Sequence, residues 1–436
     1  MVELNQDVMQ AVEALDYRVT VGDVAARAGL KVEVAQQGLL ALASETAAHM
    51  QVSESGEIAY EFSRKFRSVL RSKYWQLQAK EMLAKIWQVL FYIIRVSFGI
   101  VLLVSILIIL IAIIGLMIAA SSQGGGDNRN NRRGGGFNFP IINIFYLFDF
   151  NYSRGRRRYP NRYQYGGRGR SPQQGEKLQF LEAIFSFLFG DGNPNADLEE
   201  KRWQAIGTVI QNSGGAIAAE QVVPYLDDLG EGWDKEYEDY MLPVLSKFNG
   251  QPEVSPIGDM VYYFPELQVS AMERRKASVS AYLKEQKRKF TQATSDQVML
   301  SIGLGSANMI LAVVLQSMLQ SFPVEAIYGI PLTVVQPISV VLLAYGFAFL
   351  AIPLVRYFWV QWRNSKIEER NEERAERATA LNRLGEAFQQ KLAFAQQFAA
   401  RKVLKEEEAV YSTETDLFEQ DNRLSEAEFM RKLNEI

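Results

Sequence analysis

The sequence has no cysteine and only one histidine among its 436 residues. Without thiols, the chain can form no disulfide, thiolate metal site, iron–sulfur ligation or cysteine nucleophile. His49 alone cannot build a multi-histidine metal site, and we interpret it as a residue beside the turn of a small domain. The chain also contains no Walker motif, no GxGxxG after a strand, no HExxH and no nucleophile elbow. We therefore predict no enzyme, cofactor or metal, and only an active site built from Asp, Glu, Lys and Tyr stays open.

Charge is nearly absent from residues 86–120, an apolar stretch whose one charged residue is Arg95. As a helix it would be about 52 Å long, whereas the hydrocarbon layer of a bilayer is about 30 Å thick. The stretch therefore predicts a membrane segment, with two interpretations. A hairpin that bends near Ser97–Gly99 would return the chain to the cytoplasmic side, which the basic flanks favour. The other interpretation is a single straight span.

Residues 1–75 predict a winged-helix-like domain, because three short helical patterns precede two alternating runs around a Ser-Glu-Ser-Gly turn. Its polar, acidic start predicts no cleavable signal peptide. A second domain of the same kind is predicted at residues 198–266. The sequence VSESGEIAYEF at residues 52–62 matches VSPIGDMVYYF at residues 254–264, with glycine and aromatic positions aligned. This repetition indicates an internal duplication.

The third helix of a winged helix reads DNA only when it supplies Arg or Lys to phosphates and base edges. In the first copy we place Lys31, Glu33, Gln36, Gln37 and Glu45 on or near this helix, and in the second Asp234, Lys235, Glu236, Glu238 and Asp239. The second set would repel phosphate, and the net charge of the chain is −3. Basic residues after the first hairpin, from Arg64 to Lys73, favour a membrane flank over DNA. The domains therefore predict protein-binding modules.

Residues 121–175 form a Gly-, Arg- and aromatic-rich linker with ten arginines, no lysine and two acids. We predict that its arginines contact anionic lipid: Arg154, Arg156, Arg157, Arg158, Arg162, Arg168 and Arg170. RNA binding through charge and stacking is the alternative. The aromatic run at residues 137–150 is too short to span a membrane and is predicted to lie in the interface or to pair as a β-hairpin.

The remaining chain predicts a basic helix at residues 267–297, a transmembrane hairpin at 298–360 and a charged amphipathic helical tail at 361–436. The loop inside the hairpin has no Lys or Arg, whereas both outer flanks are basic, so both ends are predicted to be cytoplasmic. Ser301 and Gly305 predict a face for close helix packing, and Asn308 is expected to bond a neighbouring helix. The tail needs a partner, either in the same chain or in a second copy as a coiled-coil homo-oligomer.

The wing motifs, the arginine-rich linker and the later hydrophobic hairpin resemble an uncharacterised family of cyanobacterial and chloroplast integral membrane proteins. The resemblance implies a thylakoid or plasma membrane location. Some members carry an iron–sulfur cluster biosynthesis label, for which this cysteine-free chain offers no ligand.

The predicted fold class is a mainly α membrane protein with two winged-helix-like (α+β) soluble domains, transmembrane helices and a C-terminal amphipathic helix. We expect an assembly or scaffold factor that binds membrane lipids and protein partners, with its soluble domains on the cytoplasmic or stromal face. A membrane-tethered nucleic-acid-binding regulator is the alternative.

Overall fold

The computed structural model describes residues 5–73, 75–122, 180–229, 238–273, 275–321, 332–381, 383–405 and 409–414. The chain divides into two compact units. The lobe unit comprises Met1–Ile94, Gly190–Phe290 and Leu354–Ile436, and the helical unit comprises Arg95–Phe189 and Thr291–Pro353. The predicted mainly helical architecture with small sheets is confirmed.

The N-terminal lobe consists of α1 (Gln6–Ala14), β1 (Arg18–Thr20), α2 (Val21–Ala28), α3 (Val32–Thr46), β2 (His49–Ser53), β3 (Ile58–Glu61) and α4 (Phe66–Lys73). Helix α2 begins with a capping box between Thr20 and Asp23 and ends at Gly29, whose φ of 63° suits glycine. The antiparallel strands lie in the order β1-β3-β2, with β9 (Ala409–Ser412) added beside β2.

The central lobe consists of α7 (Leu198–Asn212), β4 (Ala216–Ile217), α8 (Leu242–Phe248), β5 (Gln251–Val254) and β6 (Met260–Tyr263), followed by α9 (Pro265–Gln268) and β7 (Val269–Ser270). Its strand order, β4-β6-β5, repeats that of the N-terminal lobe. At the place of α2 it has two 3₁₀ turns, Ala219–Gln221 and Val223–Tyr225. Pro224 in the second turn has no N–H to continue an α-helix.

The two lobes share one hydrophobic core, which contains buried residues from α1 to α4 together with residues from α7 to the segment after β7. Glycine residues allow the backbones of the two lobes to approach each other closely. A Cβ on Gly207 would lie 2.8 Å from the Cα of Ala26 in α2, and a Cβ on Gly22 would overlap the carbonyl oxygen of Glu266. Because both lobes contribute to one core, they fold as one body.

The outer edges of the two sheets are closed in different ways. Beside β2, the N–H of Met50 donates to Thr413 Oγ1 at 2.8 Å, and the N–H of Thr413 donates to the carbonyl oxygen of Met50 at 3.0 Å. The register places Met50 opposite Tyr60 and Pro252 opposite Tyr262, so Pro252 is the corresponding residue of the central lobe. Proline offers no donor to an incoming strand. The central edge thus needs no covering strand.

The predicted basic helix at residues 267–297 is wrong. After α9 and β7, the described residues up to Thr294 are not helical. Four asparagine side chains each bond both the N–H and the carbonyl of one residue in this segment, at 2.7 to 3.0 Å: Asn212 with Ala277, Asn371 with Glu285, Asn195 with Gln286 and Asn364 with Arg288. These bonds replace the ladder of a helix. We call residues 275–290 the asparagine-held segment.

The tail predicted as helical at residues 361–436 is helical only in part. Helix α11 (Leu332–Leu381) continues into it, α12 (Glu386–Phe398) follows, and the chain then forms β8 (Lys402–Val403) and β9. Helix α12 lies on the central sheet, where Phe398 stacks on Tyr263 at 5.8 Å between ring centroids. Because the apolar stripe of α12 meets a sheet of its own chain, the predicted coiled coil is not supported. A homo-oligomer stays a prediction.

The expected bend near Ser97–Gly99 is also wrong, because α5 (Trp75–Ser122) is one unbroken helix. Gly99 serves close packing instead, since a Cβ there would lie 3.0 Å from the Cα of Leu181. Leu181 belongs to α6 (Phe180–Phe189), a short apolar helix that the sequence analysis did not predict.

Among the described residues, three helices are long and apolar enough to cross a membrane. They lie within α5, α10 (Ser295–Ser321) and α11. The buried residues of α10 recur every three or four positions, as expected of a helix packed on both sides: Ser301, Leu304, Gly305, Asn308, Ala312, Leu315 and Leu319. These helices confirm the membrane character expected from the sequence.

Candidate functional site

The outer face of α3 is the best-formed candidate for an interaction surface. One side of this helix, with Val32, Ala35, Leu39 and Leu42, belongs to the core. The opposite side leaves Val34 39% and Leu40 55% exposed. Its other exposed residues are Glu33, Gln36, Gln37 and Ser44. We call these six residues the α3 face, and it contains no Lys or Arg.

The corresponding helix of the central lobe, α8, begins only at Leu242, so the acidic residues expected on it do not lie there. Glu238 and Asp239 precede the helix, and residues 234–236 lie outside the described ranges. The one cation of α8, Lys247, lies over the ring of Trp203 with Nζ 4.5 Å from the centroid. Burial, followed by the nearby charge of Lys31, lowers the pKa of Lys247. Neither third helix therefore presents a row of free cations to a phosphate backbone.

Among the described basic residues after the first hairpin, one forms an ion pair within the lobe. Arg67 donates to both carboxylate oxygens of Glu13, with Nη2 3.0 Å from Oε2. Arg64 and Lys65 are exposed. This leaves a small cationic patch beside the hairpin.

A buried ionic cluster attaches α11 to the central lobe and the asparagine-held segment. Arg374 is 1% exposed; its Nε donates to Asp227 Oδ1 at 2.9 Å and its Nη2 to Glu285 Oε1 at 2.9 Å. Arg370 donates twice to Glu285, at 2.7 Å each. Burial raises the pKa of Glu285, but its bonds to Arg370 and Arg374 outweigh burial and hold the pKa below its usual value. This cluster was not predicted from the sequence, although the four-residue spacing of Arg370 and Arg374 places them on one helix face.

A second buried cluster attaches α12 to the central lobe. Lys391 Nζ lies 2.8 Å from Glu220 Oε1 and 2.6 Å from Glu238 Oε1. Burial lowers the pKa of Lys391, but the two carboxylates outweigh burial and raise it. A lysine needs a lowered pKa to act as a nucleophile or base near neutral pH. The arrangement therefore suits attachment of a helix rather than catalysis.

The residues predicted for helix packing all lie in the helical unit. Asn308 is fully buried, and its Oδ1 accepts a hydrogen bond from Ser105 Oγ of α5 at 2.8 Å. A Cβ on Gly305 would overlap the ring of Phe349 in α11. The Oγ of Ser301 donates to the carbonyl oxygen of Gln297 at 2.8 Å, within α10. Asn308 and Gly305 thus face two different neighbouring helices, α5 and α11.

The seven arginines predicted to contact lipid lie outside the described residues, which omit 123–179. The predicted aromatic run at residues 137–150 lies there too. Within the described residues, no group of three His, Asp or Glu side chains is placed to hold a metal ion.

These features define a mainly helical protein with three candidate membrane-spanning helices and a lobe unit of mixed helices and small sheets. The chain belongs to the family of an uncharacterised chloroplast protein of Arabidopsis thaliana, to which it is 37% identical over 439 residues, covering 97% of this chain and 81% of the relative. No family model and no solved structure matches the chain. The plastid relationship is thus confirmed, whereas the match says nothing of iron–sulfur clusters.

Proposed function

We propose that this protein is a membrane-anchored assembly or scaffold factor whose lobe unit binds a protein partner. The lobes are proposed to be a duplicated pair of winged-helix-like domains. Their common strand order, β1-β3-β2 and β4-β6-β5, and the hairpin that follows the third helix of each lobe support this assignment. A shared core supports a pair that acts as one body.

The α3 face carries the proposal. A winged helix that reads DNA needs arginine or lysine on this surface. The α3 face instead combines Val34 and Leu40 with glutamine side chains. Apart from Glu33, the polar residues of this face are uncharged, and few charges around exposed apolar residues are typical of the centre of a protein interface.

The proposed location is a photosynthetic membrane with the lobes on the stromal or cytoplasmic face. The chloroplast relative supports the membrane system. Arg356, Arg363 and Lys366, which follow the last apolar stretch, favour this side by the positive-inside rule.

The test replaces Leu40 or Val34 with Glu in the full-length tagged protein and purifies each variant from detergent-solubilised native membranes. Wild type is expected to recover a protein partner in stoichiometric amount, and both variants at least tenfold less. Ile257→Glu is the matched control, because it places the same charge on an exposed apolar residue of the central hairpin. Equal recovery by all four proteins, or none by wild type, would contradict the proposal.

The nucleic-acid alternative makes a different prediction in the same preparations. This alternative uses the first winged helix and the arginine-rich linker, and Arg64 and Lys65 are exposed cations that follow the first hairpin. In salt-dependent retardation of duplex DNA, these two residues would contribute about −2 to the log–log slope. Retardation that Arg64→Gln and Lys65→Gln weaken, with no protein partner recovered, would favour this alternative.

A further inference from the structure

The lobe unit contains two adjoining clefts that the proposed function does not use. The first, of about 390 Å³, is formed by the end of α1, by α2 and α7, by the segment after β7 and by the residues after α12. The second, of about 400 Å³, lies between α7, the 3₁₀ turns and α12. Asn212, Gly214 and Arg401 line both clefts. Clefts of this size at the junction of two lobes are usual positions for small ligands.

Four cations line the pair of clefts: Arg27, Arg275, Lys276 and Arg401. All four are exposed, and their side chains make no hydrogen bond or ion pair with another described residue, unlike the arginines of the buried cluster around Glu285. Arginine and lysine side chains on a concave surface without carboxylate partners are suited to binding carboxylate or phosphate groups.

The acidic residues are unevenly distributed between the two clefts. Asp16, Asp23 and Glu273 line the first cleft. Asp23 is buried, and its oxygens accept from the N–H of Ala271 and the hydroxyl of Ser270 at 2.9 Å each, so it is engaged within the fold. The second cleft has Lys276 and Arg401 and no carboxylate in its lining. An anionic group would therefore find its most favourable field at the second cleft.

The neutral lining of the second cleft also suits an anion. Ser213, Gln221 and Gln396 line it together with the two cations, and each can donate a hydrogen bond. The apolar part of its wall comes from Leu392 and Ala395 of α12. The polar residues of such a lining can bind the charged group of a ligand, while the apolar residues cover a less polar part of the same molecule.

We propose that these clefts bind a small organic anion whose phosphate or carboxylate group lies at Arg401 and Lys276. The first cleft, with Arg27 and Arg275, accommodates the rest of the molecule. The site is built from both lobes and from the residues after α12. A bound ligand would therefore connect the C-terminal segment to the lobes. This inference does not depend on the protein partner proposed for the α3 face, which is a separate surface.

The test titrates inorganic pyrophosphate and, separately, citrate into the full-length protein in detergent, followed by calorimetry at constant ionic strength. We expect saturable binding of at least one probe, weakened at least tenfold in Arg401→Gln and in Lys276→Gln. Arg64→Gln is the matched control, because it removes an exposed cation away from the clefts, and its affinity should equal that of wild type.

The pair of probes separates the two sources of the anionic group, because tighter pyrophosphate binding indicates phosphate and tighter citrate binding indicates carboxylate. No saturable binding of either probe would overturn the proposal. Equal weakening in the cleft variants and in Arg64→Gln would also overturn it, since that result means non-specific ionic attraction. Thermal unfolding of each variant without a probe identifies any loss of fold. Lys276→Gln, at an exposed residue without a described partner, is the variant expected to keep the stability of wild type.

Discussion

Individual charged side chains attach the C-terminal part of the chain to the lobes. Arg374 and Lys391 are both buried, and each lies between two carboxylates. Removing one member of such a group would leave a buried charge without its partner, which costs far more than removing an exposed pair. Lys402 makes a third, less buried attachment, with Nζ 2.8 Å from Glu57 Oε2 in the hairpin of the N-terminal lobe.

Glu57 predicts an acid-sensitive contribution to stability. Burial raises its pKa, but hydrogen bonds from Lys402, Ser53 and Ser55 outweigh burial and lower the pKa from 4.5 to about 2. A carboxyl whose pKa is lowered by folding contributes stability above its unfolded pKa and loses it as the pH falls toward the folded pKa. The contribution is therefore present above about pH 4.5 and is lost as the pH falls toward 2.

The measurement compares thermal unfolding of wild type and Glu57→Gln across this pH range. Wild type should be the more stable above pH 4.5, and the difference should shrink toward pH 2. Glu54→Gln, at an exposed carboxylate of the same turn, should follow wild type at every pH. A difference between wild type and Glu57→Gln that does not change with pH would contradict the assignment.

Elements meet in this fold through small residues and asparagine side chains rather than through long apolar seams alone. Helix α2 approaches α7 and α9 at Gly22 and Ala26, where larger side chains would collide with backbone atoms. The asparagine-held segment is fixed in a non-helical conformation because Asn212, Asn364 and Asn371 bond its main chain from α7 and α11. The contacts at small residues and the hydrogen bonds from asparagine side chains both join parts of the chain that are far apart in sequence.

A substitution at Gly22 tests how strongly the stability of the two lobes depends on the contact between α2 and α9. A Cβ at position 22 would overlap the Glu266 carbonyl, which is backbone and cannot rotate away. Gly22→Ala is therefore expected to lower the free energy of unfolding by about 1–3 kcal/mol, as overpacked core substitutions do. Chemical denaturation of the full-length protein, followed by tryptophan fluorescence, measures the loss.

Gly385→Ala is the matched control for that substitution. Position 385 has a φ of −79°, and among the described residues beyond its chain neighbours no atom lies within 4 Å of the place that a Cβ would take. Gly385 is the N-cap of α12, where alanine is less favourable than glycine, so the substitution should lower the free energy of unfolding by less than about 1 kcal/mol. Equal effects of the two substitutions would show that the contact between α2 and α9 is looser than its geometry indicates.

At the scale of the whole molecule, the shared core constrains the membrane topology. Both lobes contribute to one core, so we expect them on the same side of any membrane that the chain crosses. Helix α5 is unbroken and long enough to cross once, so a bend within it does not produce that common side. The common side of the two lobes stays a prediction, which now depends on the shared core.

Single cysteines in this cysteine-free chain test the topology. Ser63→Cys and Ser278→Cys place exposed thiols on the two lobes, and Ser321→Cys places one at the end of α10. A helix of 27 residues is about 40 Å long, enough to cross the bilayer. On intact, oriented vesicles, an impermeant thiol reagent should therefore label both lobe cysteines or neither of them. Ser321→Cys should give the opposite labelling result. The wild-type chain is the unlabelled control. Opposite labelling of the two lobe positions would contradict the shared core.

The sequence alone determined the features that depend on local signals. Apolar runs at residues 86–120 and 298–319 coincide with parts of α5 and α10, because a span of about twenty apolar residues needs no distant partner to be recognised. The two hairpins were predictable for the same reason, since their turns and alternating residues lie within a few positions of one another.

Only the tertiary structure decided where distant partners override local preference. Residues 275–290 have a helical composition, yet asparagines 65 to 91 positions away bond their main chain, and the segment is not helical. The residues around Gly99 predicted a bend, yet Leu181 packs against Gly99 and helix α5 continues through it. The strand β9 has no local mate and pairs with β2, more than 350 positions earlier in the chain. In each case a contact between residues remote in sequence supplies the hydrogen bonds or the packing, and no local pattern encodes that contact.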